Sequence, residues 1–199
     1  MVEIYDRDLA SAIGIHPGDI KVRIHCGSRG LGHQIGTDYL PKLDAASRKY
    51  GIPIRERELV CAPIDSPEGR AYLGAVNCGI NGAFANRQAL AHLARKAFQS
   101  ALGTRPQEIR TLYEVAHNTA KTEVHRVRGK EKKVIVHRKG ATRAFGPGRD
   151  EVSLAYRDVG QPVLVGGTMG TSSYVLCGTE KAMDDTFGSA LHGAGRVLS

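Results

Sequence analysis

The hydrophobic pattern of this chain changes period once, and that change limits the fold more than any other feature. Leu90, Leu93, Ala94, Ala97 and Phe98 recur at helical spacing, which predicts a long helix over about Ala83 to Leu102, closed by GTRPQE. Beyond it the period is two. TLYEVAHNTAKTEVHRV and KKVIVHRKGATRAF read as strands joined by the turn-like RGKEK, and QPVLVGGTMGTSSYVLCG reads as strand, glycine loop, strand. Before the long helix, YDRDLASAIGI predicts a short helix ended by Gly14, and IKVRI predicts a half-buried strand through Ile20, Val22 and Ile24. Glycine-rich HCGSRGLGHQIG follows. A helix is then expected from a cap at Thr37 or Asp38, with Pro41 in its first turn, and ELVCAPI reads as a further strand. No internal repeat or low-complexity linker divides the chain, so one α+β domain over residues 1–199 is the simplest reading.

Charge is concentrated. Of the formal +8, a segment from Lys121 to Arg149 carries ten Lys/Arg against two glutamates, Glu123 and Glu131, leaving the remainder near neutral. Such a concentration is a phosphate-binding footprint or a solvated basic face. The cysteines Cys26, Cys61, Cys78 and Cys177 form no C-x-x-C pair, which argues against a structural zinc site and a disulfide framework and for a reducing, cytoplasmic setting. No apolar run approaches the roughly 20 residues of a membrane span, and MVEIYDRDLA has no signal-peptide pattern.

Three histidines share a setting. His25, His117 and His192 each stand where a strand or apolar run gives way to small or polar residues, a common place for functional groups. Each alone reads sooner as a hydrogen-bonded, half-buried histidine; three of a kind weaken that reading. The glycine-rich loops GSRGLG (27–32) and GGTMGTSS (166–173) follow strands, and their backbone N–H groups can cradle an anion, with Ser28, Thr168, Ser172 and Ser173 adding hydroxyls. Neither is a Walker A loop or a G-x-G-x-x-G fingerprint, and a tight turn is the plain alternative. In HRKGATRAFGPGR, Arg138, Lys139, Arg143 and Arg149 combine with glycines that let a backbone lie close to a ligand, and Arg87 is expected near the start of the long helix, where a phosphate meets the helix dipole. These residues alone indicate a metal- and nucleotide-binding protein acting on a phosphorylated, nucleic-acid substrate.

HCGSRGLGHQIG, FANRQ, VAHNTAKTE, VHRKGATRAF, GGTMGTSSYVL and HGAGR, in that order, resemble the RtcB family of RNA-splicing ligases over essentially the whole chain. The resemblance implies an α+β fold of packed β-sheets flanked by helices. It implies a GTP- and manganese-dependent ligase, with a pair of manganese ions, that joins RNA 3′-phosphate or 2′,3′-cyclic phosphate ends to 5′-hydroxyl ends in tRNA splicing or RNA repair. Its partners would be tRNA halves or broken RNA ends and the archease activator protein. By motif matching, His192 is the guanylylated nucleophile, and His25 and His117 are metal ligands. His117, Asn118, Gly166, Gly167, Thr168, Met169, Ser173, His192, Gly193, Ala194 and Gly195 match guanylate contacts, and Arg29 matches an arginine at the RNA end. With Arg87, Arg138, Lys139 and Arg143 it makes up the expected RNA-binding set. Family members are longer, and the regions that supply an aspartate, a cysteine, a further histidine and a guanine-contacting lysine are expected to lie outside this chain. A non-catalytic RNA- or nucleotide-binding remnant and a metal-dependent phosphodiesterase using the same histidines are the alternatives.

Overall fold

The longest helix is fixed by local signals at both ends. In the computed structural model, which describes residues 3–103, 105, 108–168 and 170–194, α3 runs Pro67–Leu102. The Ser66 hydroxyl caps it by accepting from Gly69 N at 3.0 Å, Pro67 opens the first turn, and Gly103 closes it in the left-handed region. The sequence reading placed its end correctly and its start sixteen residues late. The intervening glycines look like breakers, yet two of them serve packing. A methyl at Gly82 would lie 2.8 Å from Leu31 Cδ2, and one at Gly79 would lie 3.4 Å from Ile35 Cδ1. They admit α2, Gly30–Lys49, against α3. Across the same pair Tyr39 packs on Tyr72 with centroids 5.3 Å apart and donates to Ala71 O.

Helix α2 begins earlier than expected, so Pro41 lies inside it and half of GSRGLG is helix rather than loop. The expected strand ELVCAPI is a short 3-10 turn, Arg57–Leu59, and irregular chain tied to α2 by Cys61 N, which donates to the buried Ser47 hydroxyl at 3.0 Å. IKVRI also forms no strand. A strand is held by its neighbour's hydrogen bonds, no described strand pairs with it, and Ile20 stays 83% exposed.

The described residues fall into two compact units where the sequence suggested one domain. One unit comprises residues 24–109 and contains α2 and α3; the other comprises residues 1–23 and 110–199. The mixed helix and strand content is that of an α+β protein. The second unit begins with α1, Arg7–Ala12, capped by Asp6. β1, Asn118–Val127, pairs antiparallel with β2, Lys130–Lys139, through the two-residue turn Arg128–Gly129. Both turn residues have positive φ, 52° and 76°, the twist that suits a tight hairpin. β3, Ala141–Arg143, pairs with β6, Ser189–Leu191, and β4, Pro162–Val165, with β5, Tyr174–Cys177; α4, Glu180–Thr186, precedes β6. The sheets are thus separate two-stranded ribbons, and the cluster Ala144, Val163 and Val165 with Ala190 against them joins β4 to the β3–β6 ribbon.

A buried ion pair binds the β1–β2 ribbon to the β6 segment. Arg138 is 4% exposed, and its guanidinium grips the Glu123 carboxylate with two bonds of 2.7 and 2.9 Å. Its other donors reach Ser189 Oγ at 2.9 Å and Phe187 O at 2.8 Å. His125, also buried, contributes a 2.8 Å bond to Glu123 and stands edge-on to Phe145 and Phe187. Burial pushes the Glu123 carboxyl up, but hydrogen bonds from Arg138 and His125 outweigh it and hold the pKa below the ordinary carboxylate value.

Removing Arg138 alone leaves a buried carboxylate without its counter-charge. Arg138→Ala is therefore expected to cost about 3–5 kcal/mol in urea unfolding followed by circular dichroism at neutral pH. Because the folded pKa is depressed, the contribution of Glu123 is complete above its unfolded value of about 4.3 and is lost as pH falls through the folded value. The Glu123→Gln, Arg138→Met double variant should accordingly lose less stability than the parent protein on going from neutral pH to below pH about 4. Equal acid sensitivity would contradict the assignment.

Candidate active site around His192

His192 follows β6 directly, so the pairing of β6 with β3 sets its position. Its ring is fixed by a second strand end. Nδ1 lies 2.7 Å from Gly140 O, at the end of β2. A carbonyl oxygen only accepts, so Nδ1 carries the proton and, in the neutral ring, Nε2 carries the lone pair. Gly140 is itself held, since its N–H donates to Asn118 Oδ1 at 3.2 Å, and its φ of 66° suits glycine. His117 stacks on His192 with ring centroids 4.2 Å apart and planes 20° apart. A ring nitrogen of each lies within 4.8 Å of the other's.

The glycines around His192 make room first for the chain's own backbone. Gly166 and Gly193 form a parallel bridge, with Gly166 N donating to His192 O at 2.9 Å and Ala194 N to Gly166 O at 2.7 Å. A methyl at Gly193 would lie 2.7 Å from Gly166 O. In the adjoining loop, Gly167 N donates to Ser173 Oγ at 3.1 Å and Thr168 N to Thr171 Oγ1 at 2.7 Å. Three donors of the expected cradle, the N–H groups of Gly166, Gly167 and Thr168, are therefore engaged within the chain. Arg23, which the sequence reading passed over, lays its guanidinium beside Gly166 and donates to His192 O at 3.3 Å.

The family model for the tRNA-splicing ligase RtcB matches residues 1–199. The chain belongs to the RtcB family. Curated relatives named tRNA-splicing ligase RtcB include those of Archaeoglobus fulgidus, 55% identical, Methanococcus maripaludis, 52%, and Pyrococcus furiosus, 54%, each match covering 99% of this chain. The chain spans 41%, 42% and 21% of those proteins respectively.

Other residues matched to RtcB motifs distribute as follows. His25 opens the helical unit and is exposed. The chain after it is pinned to the middle of α3: Asn86 Nδ2 donates to Cys26 Sγ at 3.2 Å and to Gly27 O at 2.9 Å, and Arg87 Nη1 to Cys26 O at 3.0 Å. Arg87 thus supports the loop that carries His25. It stands twenty residues inside α3 with its guanidinium 4.5 Å from the Phe84 ring, so the expected helix-dipole phosphate site is corrected. Arg29 is exposed at the N-cap of α2 with φ 52°, a backbone setting that favours glycine. Of the remaining RNA-binding set, Lys139 is exposed. Arg143 is half-buried, bonded to Gln161 Oε1 at 3.1 Å and Glu151 O at 2.9 Å, with its guanidinium 4.8 Å from the Phe145 ring. Arg138 is the clear correction, because its guanidinium is buried, turned into the fold and bonded to Glu123, Ser189 and Phe187 rather than presented to RNA. Met169 and Gly195 lie outside the described residues. Asn86 was missed for want of any signal beyond the motif itself. Glu123 did carry one, as one of two acids in a strongly basic run.

Two measurements check this geometry. Long-range 15N–1H spectra should show neutral His192 protonated at Nδ1; protonation at Nε2 would contradict the bond to Gly140. Gly193→Ala should break the bridge to Gly166 and shift the amide resonances of both segments, whereas Gly170→Ala, whose added methyl would meet nothing within 4 Å, should leave them in place.

Proposed function

We propose that this chain carries the nucleotidyl-transfer centre of a GTP-dependent RNA ligase that joins 3′-phosphate or 2′,3′-cyclic phosphate ends to 5′-hydroxyl ends, acting on tRNA halves or broken RNA in the cytoplasm. The observation that carries the reading is the bond from His192 Nδ1 to Gly140 O. It orients the ring and, in the neutral form, leaves Nε2 as the nucleophilic nitrogen. In this reading His192 Nε2 attacks the α-phosphorus of GTP; an N–P bond forms and the bond to pyrophosphate breaks. A 2′,3′-cyclic end is first opened by water at the P–O2′ bond to a 3′-phosphate; the guanylyl group then moves from His192 to the 3′-phosphate, restoring the imidazole. Attack by the 5′-hydroxyl forms the phosphodiester and releases GMP.

Asn118 and Gly140 hold the ring through this cycle, and the Gly166–Gly193 bridge holds the peptide beneath it. Thr168 and Ser173 bring hydroxyls to the loop beside it, and Arg23 a positive charge. The donor chemistry suits a divalent metal, since the His117 imidazole stacks beside His192 and manganese accepts imidazole alongside oxygen ligands. His117 and, on its motif, His25 are the residues that would hold it. When bound, manganese supplies charge neutralisation at phosphate oxygens. The relatives' printed names support the RNA-ligase assignment, and an archease-type activator belongs to the same proposal.

Labelling with GTP bearing a labelled α-phosphate tests the first step, using this sequence within a protein of its relatives' length. The adduct should survive alkali, break in acid and vanish in His192→Ala. Labelling of the variant equal to that of the parent protein would place the nucleophile elsewhere. RNA binding without an adduct would favour a non-catalytic remnant, and RNA cleavage without GTP a phosphodiesterase. Manganese titration followed by electron paramagnetic resonance should show weaker binding in the His25→Ala, His117→Ala double variant; equal affinity would remove both as ligands.

A further inference from the structure

We propose that the tip of the β1–β2 hairpin is a second RNA-contacting surface, remote from His192, that grips the phosphate backbone of an RNA duplex flanking the ends to be joined. The idea rests on the RNA-ligase reading for the identity of the nucleic acid, and on the hairpin itself for the surface. Residues 126–133 read RVRGKEKK: five bases against Glu131, all five exposed. Unlike Arg138, none of Arg126, Arg128, Lys130, Lys132 and Lys133 has a hydrogen-bond or carboxylate partner among the described residues.

The register spreads these charges over both faces. Residues directly opposite in an antiparallel pair share a face. Arg126 opposite Glu131 and Val124 opposite Lys133 therefore lie on one face, while His125 opposite Lys132 and Val127 opposite Lys130 lie on the other. Arg128 stands at the end with φ 52°, a left-handed position that ordinarily takes Gly, Asn or Asp. A ribbon charged on both faces and at its end fits between two rows of phosphates, as across a groove of a duplex. The tip carries no aromatic side chain to stack on unpaired bases, and the deep, narrow major groove of an RNA duplex keeps its arginines and lysines from guanine edges. Its contact is therefore with backbone, indifferent to sequence and suited to double-stranded RNA.

The distance makes this a separate surface. From Asn118, whose side chain holds Gly140 beside His192, β1 extends ten residues to Val127. At about 3.3 Å per residue the tip lies about 30 Å from the reacting end. Only an RNA with a stem or long strand beyond its broken end reaches both.

The test measures RNA affinity against salt for a protein of the relatives' length. The probes are a duplex RNA with a 3′-phosphate end and a short single strand unable to span about 30 Å. Replacing Arg126, Lys130, Lys132 and Lys133 by Gln should flatten the log–log slope for the duplex by about 3 and leave the short strand's slope unchanged. Arg128→Asn suits the turn better and removes a charge, so it should weaken duplex binding while holding or raising stability. An unchanged duplex slope, an equal loss on the short strand, or binding of the parent tip to polyglutamate as well as to duplex RNA would each overturn the proposal, the last by pointing to an acidic protein partner. Guanylylation of His192 is read in the same preparations. If the adduct forms and the slope does not change, the tip proposal alone fails; if the slope flattens and no adduct forms, the nucleotidyl-transfer reading fails.

Discussion

The pairing of Arg138 with Glu123 is the constraint on which the strand-rich unit depends. Its sheets are two-stranded, and an isolated pair of strands is marginal in water. Arg138 lies on β2, Glu123 on β1, and Ser189 and Phe187 on β6 and the turn before it. One guanidinium therefore satisfies acceptors on each of these segments. The geometry is costly to build because both charges leave water, and it persists because each guanidinium nitrogen finds a partner. Phe187 itself sits at φ 52°, unusual for an aromatic residue, and so turns its carbonyl toward the arginine.

The candidate centre inherits its order from this arrangement. β2 ends at Lys139 and hands on to Gly140, whose carbonyl orients the His192 ring, while β6 ends at Leu191 and hands on to His192 itself. Arg138 touches neither imidazole, yet it ties together the two segments that meet there. The Gly166–Gly193 bridge adds a third support from the end of β4. A catalytic imidazole has to hold one tautomer and one direction, and backbone carbonyls set by strand pairing supply both with little side-chain freedom.

Periodicity and motif made different parts of this legible. The strands β1, β2, β4 and β5 and the C-terminal cap of α3 could be read because alternation and a terminal glycine are local signals. The start of α3, the start of α2 and the fate of IKVRI could not, because they depend on partners distant in sequence: Leu31 and Ile35 approaching Gly82 and Gly79, or a neighbouring strand for residues 20–24. At the centre, motif matching singled out His117, Asn118, Gly166 and His192, and these are drawn together by ring stacking, the Gly140 bonds and the bridge. Arg138 was misread although the signal was present. Val134, Val136 and Arg138 alternate along β2, so the face that shelters the valines also shelters the arginine, but the surrounding charge pointed outward.

The basic segment therefore divides by geometry rather than by composition. Arg138 faces inward and neutralises a buried acid. Arg143 and Arg149 each place a guanidinium 4.8 Å from the Phe145 ring, so their charge also serves the fold, through an aromatic face that is itself fully buried. The residues at the hairpin tip remain in water and keep the full reach of their field. The net charge of the run overstates what a phosphate backbone can meet, because Arg138, Arg143 and Arg149 are spent on the fold and, Lys139 apart, the exposed charge stands at the hairpin tip, a strand's length from His192.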